Sequence, residues 1–358
     1  MPKYDFLIVG QGLAGTLISW VLRKHYQKEV AHVDRGHDTA ASTAAAGLMN
    51  PITGRRYVKS WRFDDLLPEA LTIYRELEEE LHVSLVNQRN IIRSLFNRRE
   101  ENDWLVRTGD PDYQKYMLDT PDLQQYAQYI RPTFRYGEVE HSAQIHIGRL
   151  ITAFRQKLKE EGRILEEPFR YDGLSVGAQG VQYGTLKADA VIFAEGAQAA
   201  DNPYFNYLPF GGAKGQAIWV RIPGIHFEKI LKQRIFIVPW KDDIYWIGST
   251  NANRFPHDQP TEEARQFLHD RLEDILTVPF EVLDHRSAIK PTVRDRRPFL
   301  GQHPTHNNLY IFNGLGTKGT SLGPYWARHL CAFILKNGIL DKEVDINRFS
   351  SLLSNRDK

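Results

Sequence analysis

Short, uninterrupted apolar runs alternate along this chain with longer stretches in which apolar positions recur every three or four residues. Residues 6–9 are such a run: Phe6, Leu7, Ile8 and Val9 predict a strand buried on both faces. Glycines cut it short, residues 16–22 continue as a helix, and residues 30–33 form a second buried strand. Helical spacing returns over residues 66–81 (Leu67, Leu71, Tyr74, Leu77, Leu81), with Asp64 and Asp65 ahead of it as caps and Pro68 in the first turn. A further helix over residues 147–161 ends at Gly162, a natural left-handed stop. Between these two helices, residues 83–142 hold short strands such as 91–96 among polar turns and many tyrosines. Residues 171–186 alternate around Gly173, Gly177, Gly180 and Gly184 as a meander, and residues 188–196 read as another buried strand ending in glycine. The runs 216–222, 234–238 and 244–247 predict a larger antiparallel sheet carrying a helix over 261–276. A strand at 309–312, a glycine-rich turn at 314–319 and a long helix ending near Gly338 close the chain.

The opening elements have a chemical meaning in that order. Gly10, Gly12 and Gly15 give the G-x-G-x-x-G spacing: the first makes a tight turn, the second admits a pyrophosphate, and the third lets helix pack on strand. Helix N-terminal amides favour phosphate, and Asp34, closing the second strand, is placed to accept from a ribose hydroxyl. Residues 39–47 (TAASTAAAG) run into 48–56 (LMNPITGRR), where Ser42, Thr43, Gly47, Pro51 and Gly54 argue against a free helix. That segment reads as backbone packed against something flat or anionic, with a plain surface loop as the other reading. The fold class is α/β, a Rossmann-like nucleotide-binding domain interleaved with an antiparallel-sheet domain, because the opening motif and the closing strand, turn and helix belong to one layer. The expected boundaries are 1–82, 143–210 and 286–358 for the first domain, and 83–142 and 211–285 for the second.

Composition narrows the class. At 358 residues two domains are expected, and 42% hydrophobic with 25% charged residues is an ordinary globular balance. A net charge of +2 without a basic block gives no reason to expect nucleic acid as a partner. The single cysteine, Cys331, lies in an apolar helical stretch, so no disulfide forms within the chain and a reducing compartment is expected. No apolar run approaches the roughly 20 residues of a membrane helix, and no charged-then-apolar leader opens the chain. The expectation is a cytoplasmic protein with no membrane partner.

Taken together, VGQGLAG (9–15), STAAAG (42–47), ADAVIFAEG (188–196) and KPTVRDRRPFLG (290–301) leading to NGLGTKGTSLGP (313–324) resemble the FAD-dependent D-amino-acid oxidase superfamily, in its order and over nearly the whole chain. The resemblance implies a noncovalent FAD, since no cysteine matches a flavin tether. It implies cofactor contacts from Gly10, Gly12, Leu13, Ala14 and Gly15, from Asp34 and Arg35, and from Ser42, Thr43, Ala46, Gly47 and Leu48. Further contacts are implied from Phe169, Ala194 and Gly196, and from Gly314, Gly316, Thr317, Gly319 and Thr320. The implied reaction is oxidation of the C–N bond of a small amine or amino acid, with hydride passing to flavin N5 and the final electron acceptor left open. No metal is implied, and the second domain becomes the substrate domain.

Four residues are candidates for lining the reaction site. Lys290 stands where amino-acid oxidases carry arginine, giving a charge without the planar fork that clamps a carboxylate. Arg56, with Arg55, offers that fork from just beyond the flavin-loop segment, or is simply exposed. Lys318, beside the last helix's N-terminus, adds positive charge near the flavin pyrimidine edge. Tyr245 lies on a strand where the superfamily places substrate-facing side chains. The run Arg294 to Arg297 reads as a solvated turn. The Gly47-to-Pro51 element and the GLGTKG turn also resemble the oxidase half of a tRNA-modifying enzyme, so an oxidase of a larger amine, such as a modified tRNA base, is an alternative. A pyridine-nucleotide dehydrogenase and a flavoprotein without turnover are the others.

Overall fold

The computed structural model describes residues 3–36 and 40–354; Thr39, the first residue of the alanine-rich segment, lies outside them. Strand β1 (Lys3–Val9) leads through the glycine turn into helix α1 (Leu13–Tyr26), longer at its C-terminal end than the apolar pattern required, and then β2 (Val30–Val33). The alanine-rich segment contains a single helical turn, Ala41–Ala44, with extended backbone on either side. Helix α2 (Phe63–Leu81) follows, and its cap differs from expectation. Arg62, in the left-handed region at φ 49°, is the N-cap, while Asp64 and Asp65 lie inside the first turn, where they suit the helix dipole. Asp64 instead ties the helix to its neighbours through Lys59, Lys115 and the Tyr116 hydroxyl.

Beyond β3 (Ile91–Leu95), helix α3 (Ile147–Glu160) ends with Gly162 at φ +64°, as its sequence predicts. The expected meander is one hairpin, Leu174–Gly177 with Gly180–Tyr183, and it folds directly onto β4 (Leu186–Phe193). Next come β5 (Phe210–Arg221), β6 (Ile230–Lys232), β7 (Phe236–Lys241), β8 (Ile244–Gly248) and helix α4 (Glu262–Glu273), N-capped by the Thr261 side chain. The thirteen-residue strand β9 (Glu281–Val293) has no counterpart in the sequence reading. Strand β10 (Leu309–Asn313) and helix α5 (Gly319–Lys336) finish the layer, with Asn337 rather than Gly338 as the left-handed cap.

Two eight-stranded sheets organise the molecule. In the first, β2, β1, β4 and β10 run parallel side by side, so their C-terminal ends open on one edge. Helices α1, α2, α3 and α5 cover one face, burying Leu17, Ile18, Trp20, Leu77, Phe154 and Trp326 in a single core. The second sheet runs β9, β5, β8, β7, β6, β3 and then Arg135–Val139 and Met117–Leu118. One face packs on α4 around Ile218, Tyr245 and Leu268. The opposite face, with Ala217, Trp219, Phe236, Val238 and Trp246, turns toward Ala46, Ile52 and Tyr57 of the segment that follows the alanine-rich turn. A three-stranded sheet, Leu48–Met49 with Ala143–Ile145 and Val86–Gln88, fastens that segment to the chain on either side of residues 91–139.

Candidate functional site

Four parallel strands end together, and each is followed by a turn with special backbone. At the β1 turn, a Cβ on Gly15 would lie 1.9 Å from the Gly10 carbonyl oxygen, so only glycine lets α1 close onto its strand. Gly12, the α1 N-cap, has no side chain to cap the helix; the Leu13 amide instead donates to Ser42 Oγ (3.0 Å), which brings the alanine-rich turn over the helix N-terminus. Gly47, at φ +72°, presses against strand Ala143–Ile145 so closely that a Cβ would meet the Ile145 carbonyl oxygen at 1.8 Å. Ala194 and Gly196 follow β4, and the Asn313 side-chain amide at the end of β10 donates to the Gly196 carbonyl (3.0 Å). Gly314, Gly316 and Thr317 form the turn into α5, with Gly319 and Thr320 as its first residues.

Asp34 closes β2 and is held inside the protein: Oδ2 accepts from the Gln11 amide (2.8 Å), and Oδ1 from the Gly36 amide (2.8 Å) and Arg155 Nη1 (2.6 Å). Arg155 comes from α3 and also binds Glu166, a network that the sequence reading missed because its partners are distant in sequence. Arg35 follows at the same strand end. The Phe169 ring is committed to packing, stacked on Tyr183 and edge-on to Tyr171 and Phe193. The glycine cradle and a first turn of α1 that carries no acidic residue fit a bound dinucleotide pyrophosphate.

Lys318 is the N-cap residue of α5, half-buried, and its Nζ donates to Ser60 Oγ (3.0 Å), which in turn donates to the Asn50 carbonyl (2.7 Å). Burial, followed by Arg296 and Arg297, lowers its pKa. Lys290 lies on β9 opposite Ala213, on the face of the second sheet that turns toward Ala46, Ile52 and Tyr57. Its ammonium lies over Gly215, 2.8 Å from where a Cβ would stand there, and 3.4 Å from Asn251 Oδ1; burial lowers its pKa. Among the described residues neither lysine has a carboxylate within ion-pair distance, whereas Lys157, Lys229 and Arg155 all do.

The other two candidates are not brought to this face in the same way. Tyr245 points into the core beneath α4, its hydroxyl donating to the Ile225 carbonyl (2.7 Å) and accepting from the Phe227 amide (3.0 Å). Strand alternation puts its neighbour Trp246 on the other face instead, where the indole Nε1 donates to the Ala44 carbonyl (3.0 Å). Arg55 and Arg56 are exposed at the tip of the small hairpin Ile52–Thr53 with Val58–Lys59. In the turn after β9, Arg294 and Arg296 are exposed, but Arg297 pairs with Glu343 (3.0 Å) and lies 4.0 Å from the Trp61 ring centre. Cys331 is wholly buried in α5, and burial pushes its thiol pKa up. Among the described residues no helix is long and apolar enough to cross a membrane.

Comparison with known proteins agrees with this geometry. The chain is 24% identical over 347 residues to the glycine oxidase of Geobacillus kaustophilus, covering 90% of each sequence. The tRNA 5-methylaminomethyl-2-thiouridine biosynthesis bifunctional protein of Shewanella halifaxensis matches more narrowly, at 25% over 43% of this chain and 30% of its own. In fold, the chain matches the crystal structure of the Geobacillus kaustophilus enzyme with a TM-score of 0.80 over 98% of both chains at 22% identity. It matches the iminodiacetate oxidase of Chelativorans sp. BNC1 with a TM-score of 0.75 over 95% of this chain and 98% of that one, at 19% identity. The family model for FAD dependent oxidoreductases (DAO) matches residues 5–333, nearly the full length, and the chain therefore belongs to that family of FAD-dependent enzymes.

Proposed function

We propose that the protein oxidises the C–N bond of a small amine carrying a carboxylate, with Lys290 as the carboxylate's seat. The observation that carries the reading is Lys290, on the sheet face toward residues 46–57, and Lys318, at the α5 N-terminus: half-buried ammonium groups without acidic partners among the described residues. A cation withdrawn from water and left unpaired is costly, so the arrangement favours an anionic ligand. The relatives named for glycine and iminodiacetate oxidation act on compounds of that kind. FAD supplies the two-electron acceptor for hydride leaving the carbon beside the amine, and the imine so formed is hydrolysed in water.

In this reading the β1 turn with Asp34 and Ser42, the Gly47 segment, and the turns after β4 and β10 hold FAD. Lys318 and the α5 N-terminus would supply positive charge to offset the negative charge of a reduced flavin. Lys290 fixes the carboxylate, and Trp246 holds the alanine-rich turn against the sheet. No side chain is assigned as general base, because hydride loss from a neutral amine needs positioning rather than a strong base. Residues 83–142 and 211–285 are the substrate domain in this proposal, and residues 1–82, 143–210 and 286–358 the FAD domain.

The purified protein is expected to be yellow and to release its flavin on denaturation. Anaerobic mixing with glycine, sarcosine, proline and D-alanine is expected to bleach it. Lys290→Ala is expected to raise the half-saturating concentration at least tenfold, about 1.4 kcal/mol, while Lys290→Arg retains binding. Equal values in wild type and Lys290→Ala would refute the carboxylate role. Reduction by a hydroxy acid and by no amine removes amine oxidation altogether.

A further inference from the structure

Arg55 and Arg56 take no part in the site described above, yet the fold gathers three further cations beside them. Both are exposed at the tip of the hairpin Ile52–Thr53 with Val58–Lys59. Arg93, on β3, donates through Nη2 to the Gly54 carbonyl (2.8 Å) and lies 4.7 Å from the Tyr57 ring centre, so its guanidinium rests against that hairpin. Parallel pairing of β3 with β6 sets Lys232 directly beside Arg93. Lys232 lies 4.2 Å from the Phe236 ring centre, and its Nζ donates to the Arg234 carbonyl (3.0 Å). The Arg234 side chain is exposed, 5.0 Å from the Phe96 ring centre at the end of β3.

Among the described residues none of these five cations has a carboxylate within ion-pair distance, whereas Arg62, Arg135, Arg155, Lys157 and Lys229 all do. Glu100, in the first turn of the helix Arg98–Thr108, accepts the Phe96 amide (3.0 Å) and pairs with none of the five. Ring contacts hold Arg93, Lys232 and Arg234 at about 0.5–2 kcal/mol each, which fixes where the charge stands without neutralising it. Burial, and then Arg93, lowers the Lys232 pKa to about 8, the behaviour of a cation short of an anion. Phosphate suits the composition of the cluster, because the planar fork of arginine pairs with two phosphate oxygens at once. A single phosphate brings about two negative charges and leaves the cluster in excess, so several linked phosphates match it better.

We propose that Arg55, Arg56, Arg93, Lys232 and Arg234 form a binding site for linked phosphate groups, the chemistry shared by a free polyphosphate, the phosphate chain of a nucleotide and an RNA backbone. The site is distinct from Lys290, because β5, β8 and β7 lie between β9 and β6, and from the glycine turn after β1, which belongs to the other large sheet. It stands whether or not the protein oxidises a small amine. A net charge of +2 without a basic block gives no sign of it, since hairpin and ladder bring together residues far apart in sequence.

Isothermal titration of the FAD-loaded protein tests it, with the phosphate site of the flavin already filled. Sodium tripolyphosphate, adenosine triphosphate and a short single-stranded RNA are the probes, and orthophosphate is the reference. At least one probe is expected to bind tenfold or more tightly than orthophosphate, and the tightest identifies the source of the phosphate chain. Lys232→Gln and the double change Arg55→Gln/Arg56→Gln are each expected to weaken that probe tenfold, the scale of a lost charge-assisted contact, while Lys232→Arg preserves it. Lys187→Gln/Lys241→Gln removes two exposed charges elsewhere and is expected to leave binding unchanged. Arg55→Gln/Arg56→Gln alters exposed side chains alone, so its thermal midpoint and flavin spectrum are expected to match the wild type, and its lost binding then reports the site rather than the fold. No saturable binding of any probe, no advantage over orthophosphate, or equal weakening in the hairpin and control variants overturns the site and leaves amine oxidation untouched.

Discussion

Glu195 is a carboxyl whose setting takes it out of its ordinary range. It follows the last two buried residues of the β4 end, beside the Gly10 turn, and accepts from the Tyr171 hydroxyl (2.6 Å) and the Asn202 amide (2.8 Å). Burial raises its pKa to about 7 against the lowering effect of those two hydrogen bonds, with Asp201 adding to the rise. Between about 4.5 and 7 the unfolded chain is ionised there while the folded one keeps its proton, so stability falls as pH rises through that window. Glu195→Gln keeps a carbonyl for Tyr171 and has no proton to lose. It is expected to gain on the wild type as pH rises from 4.5 to 7, by on the order of 3 kcal/mol at pH 8. Urea midpoints measured across that range check this, and parallel curves for the two proteins would sink it. At Asp34, Arg155 and two backbone amides surround the carboxylate before any ribose hydroxyl is considered.

Elements in this protein are completed by residues far from them in sequence. Helix α1 lacks a side-chain cap of its own, and Ser42, from the alanine-rich turn, accepts the Leu13 amide in its place. Ser42→Ala is expected to cost about 1 kcal/mol of stability, the scale of a lost N-cap, and to weaken FAD retention because the same turn lies over the helix N-terminus. Thermal midpoints of the flavin-free protein and FAD titration measure the two effects separately; an unchanged midpoint would remove the capping role. The same dependence on distant partners decided what could be read in advance. Strands β1, β2 and β10 and the helices after β1 and β10 were legible because their apolar runs and glycines are local signals. Strand β9 was not: Glu281, Asp284, Arg286, Lys290 and Pro291 hide its pattern, and it is extended because it pairs with β5 along nearly its whole length. Tyr245 was assigned to the wrong face because parity becomes meaningful only when α4 is known to cover one side of the sheet. The α2 cap was missed because Arg62 adopts a left-handed conformation that no residue preference announces.

At the scale of the whole molecule, the two large sheets are tied together rather than merely apposed. Strand β9 is continuous across the proposed domain boundary at 286, and its far end, by Pro291 and Val293, packs on the turn that leads into α5. The Trp246 indole reaches across from the second sheet to the Ala44 carbonyl, and the short sheet at Leu48–Met49 ties the same segment to residues 86–88 and 143–145. A ligand held by segments from both ends of the chain should therefore stabilise both sheets. At a free FAD concentration one hundred times its Kd, the stabilisation is about 2.7 kcal/mol. Tryptophan reports on each part: Trp20, Trp61 and Trp326 lie by the helical layer, and Trp104, Trp219, Trp240 and Trp246 by the second sheet. Variants that keep only one of these sets, with phenylalanine at the other positions, are each expected to show a higher thermal midpoint with FAD, and by the same increment. If the second-sheet set melts at a temperature that FAD does not change, the sheets unfold independently, and the coupling through β9 and Trp246 is refuted.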